Sequence, residues 1–132
     1  MKTESIIRAA KIAEIHDDIC KLPDGYDTQL SEGAGLSGGQ LQRIAIARSL
    51  VSQAKVLIFD ESTSNLDLLT EKRIIQNLLK LKGKTLIFIA HRLEIARNVD
   101  SIVVMNKGKI VETGNHKELL NHKGEYFELC SK

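Results

Sequence analysis

Aromatic residues are scarce in this chain: phenylalanine and tyrosine make up 4% of its 132 residues, and tryptophan is absent. Proteins that bind single-stranded nucleic acids commonly stack bases on aromatic side chains, so this chain is poorly supplied for that task. Its 19 basic residues nearly balance its 17 acidic ones, and the two signs are interspersed along the chain. Because neutralising phosphates needs a clustered basic surface, the sequence predicts no nucleic-acid partner.

Long apolar runs are also lacking. No stretch approaches the roughly 18 apolar residues that a membrane-spanning helix needs, and the start of the chain lacks the apolar segment of a signal peptide. The two cysteines, Cys20 and Cys130, lie near opposite ends, and we expect reduced thiols rather than a disulfide. If the protein works at a membrane, we therefore expect it to do so through a partner chain or another domain.

What is present indicates one soluble globular unit, since 42% of the residues are hydrophobic and 27% are charged. Val56 to Phe59 form an uninterrupted apolar run closed by Asp60, typical of a strand buried on both faces of a parallel sheet. A helical pattern over about residues 68–82 then leads to a second apolar run, Thr85 to Ala90. This order predicts a β-α-β unit and an α/β fold.

The other predicted elements flank this unit. The first is an amphipathic helix from Thr3 to Leu22 with an apolar stripe of Ile12, Ile15, Ile19 and Leu22. The second is a helix from about Gly39 to Ser52, with Ile44, Ala47 and Val51 on one face and the polar residues Gln40, Gln42, Arg43 and Arg48 largely on the others. A short helix near residues 93–97, a hairpin of residues 101–105 and 109–112, and a last helix opened by the capping box of Asn115 and Glu118 follow the β-α-β unit. In the helix over residues 68–82 we expect Ile74, Ile75, Leu78 and Leu79 to face inward.

A glycine-rich segment, residues 36–40, precedes the second predicted helix. Gly38 and Gly39 allow the backbone to approach a ligand closely, and the free N–H groups at a helix start suit an anion such as a phosphate. Ser37 adds a hydroxyl group. A flexible turn with a helix cap explains these residues equally well when they are considered alone.

Polar side chains follow both apolar runs. Asp60 and Glu61 stand at the carboxyl end of the first strand, where open α/β sheets bind ligands, and His91 follows the second. Asp60 is placed to hold Mg²⁺, and Glu61 to polarise an attacking water as a general base. Simple solvation of the strand ends is the alternative interpretation, and a lone histidine there is more often a surface residue than a catalytic one.

Together these segments resemble the nucleotide-binding domain of ATP-binding cassette (ABC) transporters, and most closely its exporter branch. The resemblance covers nearly the whole chain and rests on residues 36–40, 42–48, 60–67 and 90–92, which occur in the family's order. Residues 25–28 and 31–35 are most similar to peptide and bacteriocin exporters. The implied fold is the C-terminal part of a P-loop NTPase-like domain, a mainly parallel sheet flanked by helices with a terminal hairpin.

The resemblance implies a role for each motif. Ser37, Gly38, Gly39 and Gln40 resemble the signature loop, which contacts the γ-phosphate of ATP held on the opposite subunit. Asp60 resembles the Walker B aspartate for Mg²⁺, Glu61 the catalytic glutamate, and His91 the switch histidine. Ser64 to Asp67 resemble the D-loop, which crosses the dimer interface, and Asp67 is expected to contact the cofactor. Residues 31–35 occupy the place of the loop that in exporters meets the transmembrane domain, with Glu32 as the expected contact, although this stretch departs from the commoner exporter pattern.

One family motif is missing from these residues: no G-x-x-x-x-G-K-[ST] phosphate loop (Walker A) occurs. The resemblance therefore implies that residues 1–52 are the end of the helical subdomain and residues 53–132 the catalytic-core strands and C-terminal helices. The implied function is ATP binding and hydrolysis that drives peptide export at the cytoplasmic face of a membrane, with a second nucleotide-binding domain and a transmembrane domain as partners. The alternatives are a soluble ABC ATPase of DNA repair or translation, and a non-catalytic interaction module.

Overall fold

The computed structural model describes residues 2–31 and 35–131. The chain divides into two compact units, Met1–Ile89 and Ala90–Lys132. The predicted contact of Glu32 lies outside the described residues, and the predicted division near residue 52 stays a prediction.

In its described residues, the first unit contains four α-helices and a two-stranded parallel sheet. The helices are α1 (Thr3–Ile12), α2 (His16–Cys20), α3 (Gly38–Val51) and α4 (Leu68–Leu79), with a 3₁₀ turn at Gly25–Asp27. Strands β1 (Val56–Asp60) and β2 (Thr85–Ile89) pair in parallel, with Val56 opposite Thr85 and Asp60 opposite Ile89. Because α4 joins the two strands, the predicted β-α-β unit is confirmed.

The single helix predicted from Thr3 to Leu22 is wrong. The backbone leaves the helical conformation after Ile12, and Glu14 adopts a left-handed φ of +58° before α2 starts. The apolar period runs on through this break, with Ala13 and Ile15 both fully buried. Residue spacing alone therefore could not reveal the break.

The predicted burial of β1 on both faces is wrong as well. Leu57 and Phe59 are 5% exposed, whereas Val56 and Ile58, on the other face, are 51% and 62% exposed. In the described part of the chain β1 pairs only with β2, and the alternating side chains of a strand reach opposite faces. One face of this sheet is thus covered and the other is open.

The predicted face of α3 is confirmed, and that of α4 holds in part. In α4, Ile74, Ile75 and Leu78 are buried as predicted, but Leu79 is 36% exposed, and Glu71 is also buried. In α3, Ile44, Ala47 and Val51 line one apolar groove shared with α1, as predicted, while Ile46 is the buried residue of the helix. Helix α3 therefore has apolar contacts on more than one side.

The second unit is a hairpin followed by helices. Strands β3 (Ile102–Asn106) and β4 (Lys109–Gly114) pair antiparallel, and left-handed φ angles of +51° at Lys107 and +77° at Gly108 close the tight turn between them. This confirms the predicted hairpin. The residues near 93–97, predicted as a helix, form only a 3₁₀ turn at Ile95–Asn98.

Two helices close the chain. Helix α5 (His116–His122) begins with the predicted capping box of Asn115 and Glu118, and α6 (Glu125–Cys130) was not predicted. Tyr126 of α6 forms the core of this unit with Val104 and Leu119. Burial, together with a hydrogen bond to Cys130, raises the pKa of Tyr126 to about 12. No helix among the described residues has both the length and the apolarity to cross a membrane.

Candidate functional site

Ser37 caps α3. Its hydroxyl oxygen accepts a hydrogen bond from the Gln40 N–H at 3.1 Å, and the Gln40 side-chain oxygen accepts one from the Ser37 N–H at 2.8 Å. This capping box confirms the helix-cap interpretation. It leaves the phosphate interpretation open, because a hydroxyl group that accepts a hydrogen bond can also donate one.

The glycine pair lets α3 lie very close to the chain's own Asn65 and Leu66. A Cβ atom on Gly39 would lie 3.1 Å from the Asn65 carbonyl oxygen and 3.3 Å from Leu66 Cδ2. A Cβ atom on Gly38 would lie 3.2 Å from Asn65 Nδ2. The two glycines thus bring the start of α3 against the segment that follows Glu61.

Asp60 and Glu61 stand at the carboxyl end of β1, and both are exposed. The Glu61 N–H donates to the Ile89 carbonyl at 2.9 Å, which extends the contact with β2 by one residue. Glu61 has a left-handed φ of +52°, a conformation that costs a non-glycine residue about 1–2 kcal/mol. Strain of this kind is often concentrated at functional sites.

The turn after Glu61 is held by its own backbone and by Gln42 of α3. The Ser64 N–H donates to the Glu61 carbonyl at 3.2 Å, and the Leu66 N–H to the Thr63 carbonyl at 3.1 Å. Gln42 Nε2 donates to Ser64 Oγ at 2.9 Å, and Gln42 Oε1 accepts from the Asn65 N–H at 2.9 Å. The sequence placed Gln42 only on a helix face, and no local spacing could have revealed partners 22 and 23 residues away.

Asp67 ends this turn and caps α4. Its carboxylate accepts from the Thr70 N–H at 3.1 Å and from the Thr70 hydroxyl at 2.6 Å. The hydrogen bond from the Thr70 side chain, followed by that from its backbone, lowers the pKa of Asp67. The cofactor-contacting residue predicted from the resemblance is therefore also a helix cap.

Arg43 fixes the other side of α3. Its guanidinium group donates to the Glu14 carbonyl at 2.7 Å and forms a salt bridge with Asp18 at 3.1 Å. These contacts tie α3 to the break between α1 and α2. Sequence reasoning missed this role, because it placed Arg43 on a polar face.

The predicted site residues fall in both units. The structure brings the start of α3 together with the Asn65–Asp67 segment, and these residues line a shared cleft with Thr70. His91 is exposed and belongs to the second unit, so its meeting with Asp60 and Glu61 stays a prediction.

The carboxylate of Asp60 suits a metal ion that keeps most of its water ligands. Among residues 2–31 and 35–131, no three His, Cys, Asp or Glu side chains form a group that could hold a metal ion. Mg²⁺ typically takes only one or two protein carboxylates and completes its shell with water and phosphate oxygens. The exposed carboxylate of Asp60 fits that requirement.

Comparison with known proteins shows which proteins this chain resembles. The family model described as ABC transporter matches residues 3–64. A solved structure of a bacterial Atm1-family ABC exporter with ATP bound superposes with a TM-score of 0.89 at 42% identity, covering 98% of this chain and 23% of that one. Over residues 3–64 the chain thus matches the ABC transporter family, and its fold is similar to that of the corresponding part of an ABC exporter.

Two curated relatives have names that specify transport and processing. A transport/processing ATP-binding protein of Streptococcus pneumoniae is 58% identical over 129 residues, which are 97% of this chain and 18% of the relative. The pediocin PA-1 transport/processing ATP-binding protein of Pediococcus acidilactici is 56% identical over 127 residues, which are 96% of this chain and 18% of the relative. The chain thus spans less than a fifth of the length of these relatives.

Proposed function

We propose that this chain is part of the ATPase of an ABC exporter, in which ATP binding and hydrolysis drive the export of a peptide. The relative named for pediocin PA-1 transport and processing supports the peptide substrate. The proposal places the chain at the cytoplasmic face of a membrane, with a second nucleotide-binding domain and a transmembrane domain as partners.

The proposed roles follow the site. Mg²⁺, when bound with ATP, neutralises charge on the phosphate oxygens and positions them for attack. Asp60 would hold that ion at the end of β1. Glu61 would accept a proton from the attacking water, and His91 would contact the γ-phosphate from the second unit.

The signature segment would act on the neighbouring subunit. Ser37, Gly38, Gly39 and Gln40 form the start of α3, where the helix dipole and the N–H groups that the capping box does not use favour a phosphate group. We propose that they contact ATP held by the partner domain, and that Asp67 lies at the interface between the two. Each subunit would then contribute to two sites.

One observation carries this proposal: the close packing of Gly38 and Gly39 on Asn65, in the turn that begins at Glu61. A glycine pair that only terminated a flexible loop would not need such an approach. In this chain it joins two segments that the resemblance assigns to nucleotide contacts on opposite subunits. It therefore favours the exporter ATPase over a non-catalytic interaction module.

Glu61→Gln in the full-length protein that contains this chain tests the proposed base. The substitution preserves size and removes the proton acceptor, so ATP binding should persist while the hydrolysis rate falls about 10²-fold or more. Nucleotide binding and steady-state hydrolysis, measured on the same preparation, provide the two readouts.

Glu4→Gln, which changes an exposed carboxylate in α1, is the matched control and should hydrolyse ATP at the original rate. Unchanged turnover in Glu61→Gln would mean that Glu61 is only a solvated strand-end carboxylate. Purification without any membrane component would instead favour the soluble ABC ATPase.

A further inference from the structure

The side-chain amide of Gln42 connects α3 to the turn that follows Glu61. It uses both of its polar atoms: Nε2 donates to Ser64 Oγ, and Oε1 accepts from the Asn65 backbone N–H, each at 2.9 Å. Nε2 also lies 3.5 Å from the Glu61 carbonyl oxygen. Gln42 therefore contacts the turn at successive positions.

Few other side chains could make this connection. Glutamate would keep the acceptor for Asn65 and could accept from the Ser64 hydroxyl, whereas leucine would lose both contacts. Asparagine has the same amide group on a side chain one methylene shorter, so it could not reach both partners from the same backbone position. The site thus requires the length of glutamine and a polar group at its end.

The turn that Gln42 contacts contains a strained residue and is tightly packed. The 3.2 Å bond from the Ser64 N–H to the Glu61 carbonyl closes it, and Glu61 itself has a strained φ of +52°. The segment from Asn65 to Leu66 also packs against Gly39, where an added Cβ atom would crowd the Asn65 carbonyl oxygen at 3.1 Å. A displacement of α3 would therefore move the turn with it.

We propose that Gln42 is a positioning residue for ATP hydrolysis, which holds the Glu61 turn against α3. When the signature segment closes over the partner's nucleotide, the contacts of Gln42 move Glu61 relative to the chain's own nucleotide. This inference rests on the proposed function and adds to it a physical link between the two sites of one subunit.

A double-mutant cycle in the full-length protein tests the link. Gln42→Leu should lower kcat for ATP about 10- to 100-fold, the scale of a small misplacement of catalytic groups, and leave KM within about twofold. Ser64→Ala should lower kcat less. The double variant should be no slower than Gln42→Leu alone, because both changes remove the same contact.

Two further variants separate positioning from stability. Gln76→Leu makes the same change at an exposed site on α4 and should retain the original kcat. Gln42→Asn keeps a polar amide on the helix surface, so it provides the test even if Gln42→Leu fails to fold. It should lower kcat by the amount expected for Gln42→Leu.

The inference is overturned if Gln42→Asn retains the original kcat, or if the losses in Gln42→Leu and Ser64→Ala multiply in the double variant. Glu61→Gln, measured in parallel, distinguishes a failure of the Gln42 link from a failure of the proposed site. If Glu61→Gln abolishes hydrolysis and the Gln42 variants do not slow it, only the link is wrong. If Glu61→Gln hydrolyses ATP normally, the proposed role of Glu61 as the base fails, and if the unaltered full-length protein does not hydrolyse ATP, the proposed function itself fails.

Discussion

Gly38 and Gly39 are adjacent residues with unequal surroundings. An added Cβ at Gly39 meets a backbone carbonyl oxygen at 3.1 Å, whereas one at Gly38 meets the tip of the Asn65 side chain at 3.2 Å. A side-chain amide can rotate away from a new methyl group, but a backbone carbonyl in a hydrogen-bonded turn cannot. The two positions therefore differ in their tolerance of alanine.

We expect Gly39→Ala to lower the free energy of unfolding by about 1–2 kcal/mol, because overpacking outweighs the gain of about 1 kcal/mol in helix propensity. Gly38→Ala should change it by less than about 0.5 kcal/mol, since there the two effects nearly cancel. Denaturant unfolding of the two variants under one set of conditions provides the comparison. Equal midpoints would show that the backbone of residues 65–66 moves freely.

At the scale of elements, the predictable features were those with a local cause. The hairpin turn at Lys107 and Gly108 and the capping box of Asn115 each involve residues a few positions apart, and both predictions were confirmed. The break after Ile12 was missed, because Ala13 and Ile15 continue the apolar period while Arg43, far along the chain, binds the Glu14 carbonyl at the break. The roles of Gln42 and Arg43 were missed for the same reason.

The same contrast applies to the site. Residue type and order alone made candidates of Ser37, Gly38, Gly39, Asp60, Glu61 and Asp67. What the sequence could not predict was that the two glycines pack on Asn65. Distances between segments 20 or more residues apart depend on tertiary packing, which local patterns do not record.

The cap of α4 gives the protein a pH-dependent contribution to stability. Hydrogen bonds from Thr70 lower the pKa of Asp67 below its ordinary value in the folded state. The stabilisation is thus complete above the ordinary pKa of an aspartate and is lost as the pH falls through the lowered folded-state value.

Asp67→Asn keeps an acceptor for the Thr70 N–H and removes the titrating group. We expect this variant to lose less stability than the original chain when the pH falls below 4, the usual aspartate range. Thermal unfolding between about pH 2 and 7 measures the difference. Asp24→Asn, at an exposed aspartate, is the control, and parallel curves for all three proteins would contradict the prediction.

At the scale of the whole molecule, the open face of the β1–β2 sheet is the dominant surface feature of the first unit. Val56, Ile58, Ile87 and Ile89 are 51%, 62%, 43% and 49% exposed. Each large apolar side chain left uncovered forgoes roughly 1.5–3 kcal/mol. Four of them together represent a substantial share of the stability of a small domain.

We therefore expect the isolated 132-residue chain to self-associate at micromolar concentration through this face. Sedimentation over a dilution series should show a mass that rises with concentration. Ile58→Lys should weaken the association by placing a charge on the open face, whereas Leu69→Lys, at an exposed leucine of α4, should weaken it less. A cooperatively folded monomer at every concentration would contradict this expectation.

The left-handed backbone at Glu61 has a consequence for the way this protein would respond to selection. Glycine or asparagine fits a φ of +52° better than glutamate does, so replacing Glu61 would relieve backbone strain. A library screened only for heat resistance would then enrich variants without the carboxylate proposed to catalyse hydrolysis. Selection for stability would favour other residues at position 61, whereas selection for turnover would favour glutamate. A screen for a more stable variant must therefore measure activity at every round.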